Sequence, residues 1–275
     1  MPHERELEVA LEACARARQP ILDEYARFEP VPDAAADIKL TVDRVTQEIL
    51  LQHLDAAFPH DSFCAEEDTP TLARVRAEKR TPERTWVVDP IDGTRGFAMK
   101  NGEFSVMVGL VERDRVVVGV VAEPIPDRVT YAVRGGGCWQ RTGAGPAALC
   151  HVTGTADLDG AALVVSRSSR PGKPSPHIEA LWPARVVRTY SAGIKLALVA
   201  RGEVDLYLNT YPNFHDWDVC AGHVLVEEAG GRVTTLRGQD VTYGKAAAVQ
   251  RQGLLASNGL VHDQALARLR SLTGG

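Results

Sequence analysis

Residues 86–94 of this 275-residue chain read WVVDPIDGT, an apolar strand that leads directly into two carboxylates, Asp89 and Asp92. Pro90 stiffens the chain between the carboxylates and removes a backbone donor, and Gly93 allows a ligand to approach the backbone closely. Two fixed carboxylates and the carbonyl between them form an oxygen-rich cation site that suits Mg²⁺. The same residues also suit an ordinary turn rich in Asp and Gly, so this stretch alone leaves both interpretations open.

Two further acidic segments favour the cation site. Glu66 and Glu67 follow a predicted strand, and Asp218 lies at the start of a predicted helix. Each has an ordinary alternative, because the adjacent glutamates suit a solvated loop and Asp218 suits a helix N-cap. Together, the three segments supply ligands for two metal ions about 4 Å apart, the arrangement that stabilises the attacking and leaving oxygens in phosphoryl transfer.

Taken in order, these motifs resemble the signature of the lithium-sensitive, Mg²⁺-dependent phosphatase superfamily. That superfamily includes inositol monophosphatase, fructose-1,6-bisphosphatase and 3′(2′),5′-bisphosphate nucleotidase. The matching positions span nearly the whole chain and are Asp43, Glu66-Glu67, Asp89 to Thr94, Trp217-Asp218 and Gly230-Gly231. The resemblance implies an α/β (α+β) fold with the layered α/β/α/β/α sugar-phosphatase architecture and a site between its two halves.

The resemblance also implies a role for each matching residue. Two or three Mg²⁺ ions would be held by Glu66, Asp89, the Ile91 carbonyl, Asp92 and Asp218. Thr94, hydrogen-bonded to Asp43, would orient and activate the attacking water, and Glu67 would share in positioning it. The scissile phosphate would lie on the amides of Gly93 and Thr94, with Glu66 and Asp218 also facing the substrate.

Several segments resemble the nucleotidase branch, whose substrate is a small phosphate ester with two phosphate groups. These segments are residues 92–97, 101–106, 163–169 and 191–196. In the last of them, Ser191 and Lys195 would bind the second phosphate, although Lys195 also suits an exposed helix surface. The resemblance therefore implies hydrolysis of adenosine 3′,5′-bisphosphate to AMP and phosphate.

Three departures from that branch leave alternatives open. Asn209 stands where nucleotidases have an Arg, Ser169 stands where many have a His, and the loop between Lys39 and Asp43 is shortened. The alternatives are an inositol monophosphatase, a sugar phosphatase or bisphosphatase with the same site, and a non-catalytic metal-binding protein.

The composition limits the partners. The chain has 31 Lys+Arg and 36 Asp+Glu, a net charge of −5, which argues against a nucleic-acid polymer because phosphate backbones attract basic faces. No apolar run approaches the roughly 20 residues that span a bilayer, so no membrane partner is expected. Five scattered cysteines favour a reducing cytoplasm over a disulfide framework. A monomer or a homodimer is expected.

A change of pattern near Cys150 predicts two parts within one compact unit. Residues 1–150 are expected to form an N-terminal α+β part with most metal ligands, and residues 151–275 a C-terminal α/β part with Asp218 and the substrate contacts. Hydrophobic periodicity predicts helices over residues 43–57, 193–200, 218–228 and 261–270. It also predicts a hairpin over residues 105–122. The stretch containing Pro171, Pro174 and Pro176 is predicted to be a loop.

Overall fold

The computed structural model describes residues 2–35, 38–80, 82–167, 175–244, 248–270 and 272. The α-helices in this part of the chain are α1 (Glu4–Arg27), α2 (Thr41–Ala57), α3 (Pro70–Ala77), α4 (Thr94–Ala98), α5 (Pro176–Leu181), α6 (Ala192–Ala200), α7 (Asp216–Glu228) and α8 (His262–Leu269). The first strands are β1 (Ser62–Ala65), β2 (Arg84–Asp92), β3 (Ser105–Glu112), β4 (Arg115–Glu123), β5 (Arg128–Val133), β6 (Cys138–Thr142) and β7 (Ala148–Cys150). The later strands are β8 (Ala162–Ser166), β9 (Arg185–Thr189), β10 (Leu206–Asn209), β11 (Phe214–His215), β12 (Arg232–Thr234), β13 (Val249–Gln250) and β14 (Leu254–Ser257).

The strands form two large sheets and one small one. A seven-stranded sheet follows the chain order from β1 to β7, with β1 parallel to β2 and the other pairs antiparallel. A five-stranded sheet has the order β12-β14-β10-β8-β9, in which β8 is parallel to both of its neighbours. Strands β11 and β13 form a two-stranded sheet. The alternation of long sheets and helices is typical of a layered α/β domain.

Both faces of the seven-stranded sheet are covered by helices. Successive side chains on a strand point to opposite faces, and Val88 of β2 accordingly packs in one core cluster with Ile21 of α1 and Leu50 of α2. Its neighbour Val87 packs in a second cluster with Val224 of α7. The burial of β2 on both faces explains why it is a nearly continuous apolar run.

The second sheet lies beyond α6 and α7. These two helices contact β10, β12 and β14 as well as the first sheet. On the outer side, Leu163 and Leu206 of the second sheet pack with Leu181 of α5 and Leu266 of α8. The resulting order is helix pair, sheet, helix pair, sheet and helix pair, which confirms the expected α/β/α/β/α architecture. Among the described residues, no helix is both long and apolar enough to cross a membrane.

The local predictions differ from the structure in the irregular segments. The periodic elements lie close to their predicted positions, but α5 begins at Pro176, within a stretch predicted to be a loop. Ser175 caps this helix, with its hydroxyl accepting a hydrogen bond from the Ile178 amide at 3.3 Å, and proline suits the first helical position. Pro171 and Pro174 lie outside the described residues.

Helix α7, which carries Asp218, lies directly on two paired glycines. Gly109 of β3 and Gly119 of β4 face each other across the ladder. A Cβ atom on Gly119 would lie 2.2 Å from the Ala221 carbonyl oxygen, and one on Gly109 would lie 2.6 Å from the Cys220 sulfur. The absence of side chains at these two positions therefore sets how closely α7 approaches the sheet.

We expect Gly119→Ala to lower the free energy of unfolding by about 1–3 kcal/mol, the usual cost of overpacking a filled core. Thermal or urea unfolding measures this change. Gly154→Ala is the matched control, because a Cβ at Gly154 meets no atom within 4 Å. Equal stability of the two variants would contradict the close approach of α7.

Candidate active site

Three carboxylates from two distant parts of the chain converge in one cleft. Oxygen atoms of Asp89, Asp92 and Asp218 all lie within 4.8 Å of one another, and they form the metal-ligand cluster found among the described residues. The cleft has a volume of about 1260 Å³ and is also lined by Glu66 and Ile91. The structure therefore brings all five predicted metal ligands to one place.

The two sheet-borne acidic segments meet because β1 and β2 are parallel. Ala65, the last residue of β1, pairs with Val88 of β2, so the next residues along these parallel chains, Glu66 and Asp89, lie side by side. The ladder between β2 and β3 is irregular between Asp89 and Asp92. An irregularity of this kind re-aims side chains, which places both aspartates at the cleft.

Asp92 is held by the N-terminus of α6. Its carboxylate accepts hydrogen bonds from the amides of Ala192 at 3.0 Å and Gly193 at 2.6 Å. It also accepts hydrogen bonds from the hydroxyls of Ser191 and Ser105. The positive end of a helix favours a carboxylate, so α6 fixes the orientation of Asp92.

Asp218 is positioned within its own helix, but it is not the N-cap that the sequence alone allowed. His215 occupies the N-cap position of α7, and Asp218 lies in the first turn, where its carboxylate accepts a hydrogen bond from the His215 amide at 2.6 Å. The reason is that the helix begins earlier than predicted, at Asp216. The carboxylate of Asp218 thereby faces the cleft.

The electrostatics of the cluster match a cation site. Burial, followed by the charges of Glu66 and Asp92, raises the pKa of Asp89 well above its usual range. Burial and then the charge of Asp92 raise the pKa of Asp218 in the same way, and burial raises the pKa of Glu66 to about 7. Asp89 Oδ1 is buried and has no hydrogen-bond partner. Converging oxygens of this kind suit a hard divalent cation, so the residues present fit Mg²⁺.

Two predicted residues, Asp43 and Glu67, lie behind the metal ligands. Both side chains are buried, and neither is among the described residues that line the cleft. The charges of Glu66 and Glu67 contribute to raising the pKa of Asp43 to about 7, after the larger effect of burial. These acids therefore add negative potential to the cluster from behind.

The predicted hydrogen bond between Thr94 and Asp43 is wrong for this structure. The Thr94 hydroxyl donates to the Ile91 carbonyl at 3.0 Å. Asp43 accepts from the Leu40 amide at 3.0 Å through Oδ2, and its Oδ1 has no partner. Asp43 is bound into the first turn of α2, a local arrangement that competes with the longer-range contact.

Gln47 is a supporting residue that the sequence did not indicate. Its side-chain oxygen accepts a hydrogen bond from the Glu67 amide at 2.8 Å, and its side-chain nitrogen donates to the Glu67 carbonyl. A glutamine in the middle of α2 carries no motif, so only its position in space reveals that it orders the backbone next to Glu66.

Lys195 is fully buried, and the alternative of an exposed helix lysine is therefore wrong. Its ammonium group donates to the Tyr190 carbonyl at 2.9 Å and lies 5.4 Å from the centre of the Tyr207 ring. Burial lowers the pKa of Lys195 to about 8, although the charges of Asp92 and Asp218 oppose this change. Lys195 lines the same cleft as the carboxylates.

The structure corrects the expected substrate contact of Ser191. Its hydroxyl is buried, donates to Asp92, accepts from the Ile194 amide at 2.9 Å and lies 2.9 Å from the Ser105 hydroxyl. With these partners, the Ser191 side chain caps α6 and orients Asp92. Gly93 lines the cleft, while Ser168 and Ser169 lie outside the described residues.

Other residues of the cleft were not among the predicted site residues. Arg95, Arg167 and Arg188 line the cleft, and the rings of His215 and Trp217 stack there with centroids 4.4 Å apart. An arginine near the end of a strand is not diagnostic by itself, so the sequence alone does not indicate that these side chains line the same cleft.

Comparison with known proteins shows what this chain is similar to. The model of the inositol monophosphatase family matches residues 3–273. Histidinol-phosphatase of Mycobacterium tuberculosis is 33% identical over 91% of this chain and 88% of its own length. The 3′(2′),5′-bisphosphate nucleotidase CysQ of Salmonella typhimurium is 30% identical over 80% of this chain and 83% of its own length. The solved structure of inositol monophosphatase from Anabaena has a TM-score of 0.78 and 27% identity, and the match covers 98% of this chain and 96% of that one.

Proposed function

Because this chain belongs to the inositol monophosphatase family, we propose that it hydrolyses adenosine 3′,5′-bisphosphate to AMP and inorganic phosphate. As a member of that family, it is a phosphoric monoester hydrolase that acts on small phosphate esters and depends on a metal. The nucleotide substrate, Mg²⁺ as the metal and the individual residue roles are our proposals.

We assign the metal ligands to Glu66, Asp89, the Ile91 carbonyl, Asp92 and Asp218, which line one cleft. When bound, Mg²⁺ supplies Lewis acidity to the phosphate oxygens and to the attacking water. The site draws on both proposed parts of the chain, since Asp89 and Asp92 belong to residues 1–150 and Asp218 to residues 151–275. We therefore treat 1–150 and 151–275 as one functional unit.

We assign Thr94 to orienting the attacking water. Its proton is donated to the Ile91 carbonyl, so its oxygen is left as an acceptor for a hydrogen bond from water. The amides of Gly93 and Thr94 are assigned to the scissile phosphate. We assign Asp43 and Glu67 an electrostatic role, in which they add negative potential near Glu66, because neither lines the cleft.

The observation that carries the nucleotidase proposal is the buried lysine on the wall of the carboxylate cleft. A fully buried ammonium is costly unless an anion or another acceptor compensates it, and Lys195 has only backbone carbonyls as hydrogen-bond acceptors among the described residues. We assign it to the second phosphate. The stacked rings of His215 and Trp217 offer an apolar surface on which a planar base can pack.

A second candidate is hydrolysis of an inositol or sugar phosphate. It is favoured by Asn209, which lines the cleft and whose side-chain nitrogen is buried without a hydrogen-bond partner. That amide can donate to a sugar hydroxyl, whereas the Arg found at this position in nucleotidases would bind a phosphate.

The test compares kcat/KM, in the presence of Mg²⁺, for adenosine 3′,5′-bisphosphate, inositol 1-phosphate and histidinol phosphate. We expect the bisphosphate to be preferred by at least about tenfold, which corresponds to about 1.4 kcal/mol of transition-state binding. A preference of this size for either of the other two esters would contradict the nucleotidase proposal and leave the phosphomonoesterase intact.

A further inference from the structure

Two arginines from different elements meet over one tyrosine ring at the cleft. The guanidinium carbon of Arg95 lies 5.3 Å from the centre of the Tyr190 ring, and that of Arg167 lies 5.8 Å from it. All three residues line the cleft that contains the carboxylate cluster. Arg95 directly follows Thr94, and Arg167 follows the end of β8. The two arginines are therefore far apart in the sequence and become neighbours only in the folded chain.

We propose that Arg95, Arg167 and Tyr190 form, next to the Lys195 ammonium that donates to the Tyr190 carbonyl, the subsite for the second anionic group of the substrate. The proposal rests on the phosphomonoesterase function and specifies its substrate class, namely a phosphate ester with another phosphate or carboxylate group. Guanidinium groups bind such anions through directed, charge-assisted hydrogen bonds, and an aromatic ring beneath them holds them by cation–π contact.

Both guanidinium groups are held in place by contacts, but neither uses all of its hydrogen-bond donors. Arg167 is held by the Glu103 carboxylate, to which its Nε donates at 2.7 Å and its Nη2 also donates. Arg95 Nε is buried and has no hydrogen-bond partner. A guanidinium has five donors, so both groups retain N–H bonds for a ligand while Glu103 and Tyr190 restrict their motion.

The charged side chains that line the cleft form an acidic set and a basic set. The acidic residues among those that line it are the four proposed metal ligands, Glu66, Asp89, Asp92 and Asp218. The basic side chains that line it are those of Arg95, Arg167, Arg188, Lys195 and His215. Among the described residues of the wall, a cationic substrate group would find no carboxylate outside the metal ligands, whereas an anionic group would find several cations.

The position of Asn209 adds a reason for this assignment. Asn209 contributes no charge from β10, where the nucleotidases that this sequence resembles have an Arg. Arg95 and Arg167 supply guanidinium groups to the same cleft from α4 and from the end of β8. The structure thus offers cations for a second anion without an Arg on β10.

The test uses Arg95→Met and Arg167→Met in the full chain with Mg²⁺. The substrates are adenosine 3′,5′-bisphosphate and adenosine 3′-monophosphate, which differ only in the 5′-phosphate. We expect each substitution to lower kcat/KM for the bisphosphate by at least about tenfold, the effect of losing a hydrogen bond to a charged group. The value for the monophosphate should change by less than about threefold. Arg185→Met on β9 is the matched control, because the Arg185 side chain donates to the Glu203 carbonyl and is not among the described residues that line the cleft.

The outcomes separate this proposal from the nucleotidase proposal. Equal losses for both adenosine substrates, or no loss for either, would overturn the subsite while leaving the hydrolase intact. If the wild-type protein hydrolyses neither substrate, the nucleotidase proposal is wrong, and the same variants are compared on fructose 1,6-bisphosphate and fructose 1-phosphate, which keeps the 1-phosphate and lacks the 6-phosphate. The subsite then predicts that the wild-type protein prefers the bisphosphate and that both variants lose this preference; a wild-type protein without the preference would refute it.

Discussion

We expect Asp89→Asn to lower kcat/KM for the preferred phosphate ester by at least about 10³-fold, equivalent to the several kcal/mol that a catalytic metal contributes. Asparagine has nearly the same shape as aspartate but presents one neutral oxygen in place of a charged carboxylate. Asp89 is buried and its oxygen atoms converge with those of Asp92 and Asp218. Phosphate release as a function of Mg²⁺ concentration measures the loss.

The same substitution should leave the metal-free fold at least as stable as the wild type. Burial and the neighbouring carboxylates raise the pKa of Asp89 well above its usual range, so its ionised form destabilises the protein without a cation. Thermal unfolding in a chelator tests this, with Asp114→Asn in the exposed turn between β3 and β4 as the control. Near wild-type turnover by Asp89→Asn would refute its assignment as a ligand.

The second large effect is expected at Thr94. Thr94→Val should lower kcat by about 10²–10⁴-fold, the usual contribution of a group that positions a proton-transferring partner, and should change KM much less. Valine keeps the shape of the side chain but loses the hydroxyl that donates to the Ile91 carbonyl. Steady-state kinetics at saturating Mg²⁺ separates the two parameters.

Thr94→Ser is the matched variant, because serine restores the hydroxyl without the methyl group. It should retain most of the activity that Thr94→Val loses. If both variants behave like the wild type, the Thr94 hydroxyl does not orient the attacking water. If both are equally inactive, the methyl group matters and the role that we assign to the hydroxyl is wrong.

Much of the fold could be predicted because its signals are local. The β3–β4 hairpin is a pair of apolar runs around a polar turn, and α7 ends at Gly230-Gly231, a typical helix C-terminus. Short strands such as β6 and β7 were not predicted, because their residues alternate too weakly. Helix α5 was not predicted, because a proline at a first helical position resembles a proline in a loop.

The metal-ligand set could be predicted because its motifs lie at strand and helix ends, where the sequence pattern changes. The supporting contacts depend on residues far apart in the chain. Ser191 and Asp92, which share a hydrogen bond, are 99 residues apart in the sequence. Gln47 is 20 residues from Glu67, with whose backbone it makes two hydrogen bonds. The burial of Lys195 depends on the packing of α6 between two sheets, which a hydrophobic pattern with one lysine does not reveal.

Anomalous diffraction from a crystal of the protein soaked in Mn²⁺ tests the central claim most directly, because it locates the cation without relying on activity. We predict an anomalous peak between the carboxylates of Asp89, Asp92 and Asp218, the three side chains whose oxygens lie within 4.8 Å of one another. A crystal with Mn²⁺ bound elsewhere and no peak at these carboxylates would contradict the account of a metal-dependent phosphatase site in this cleft.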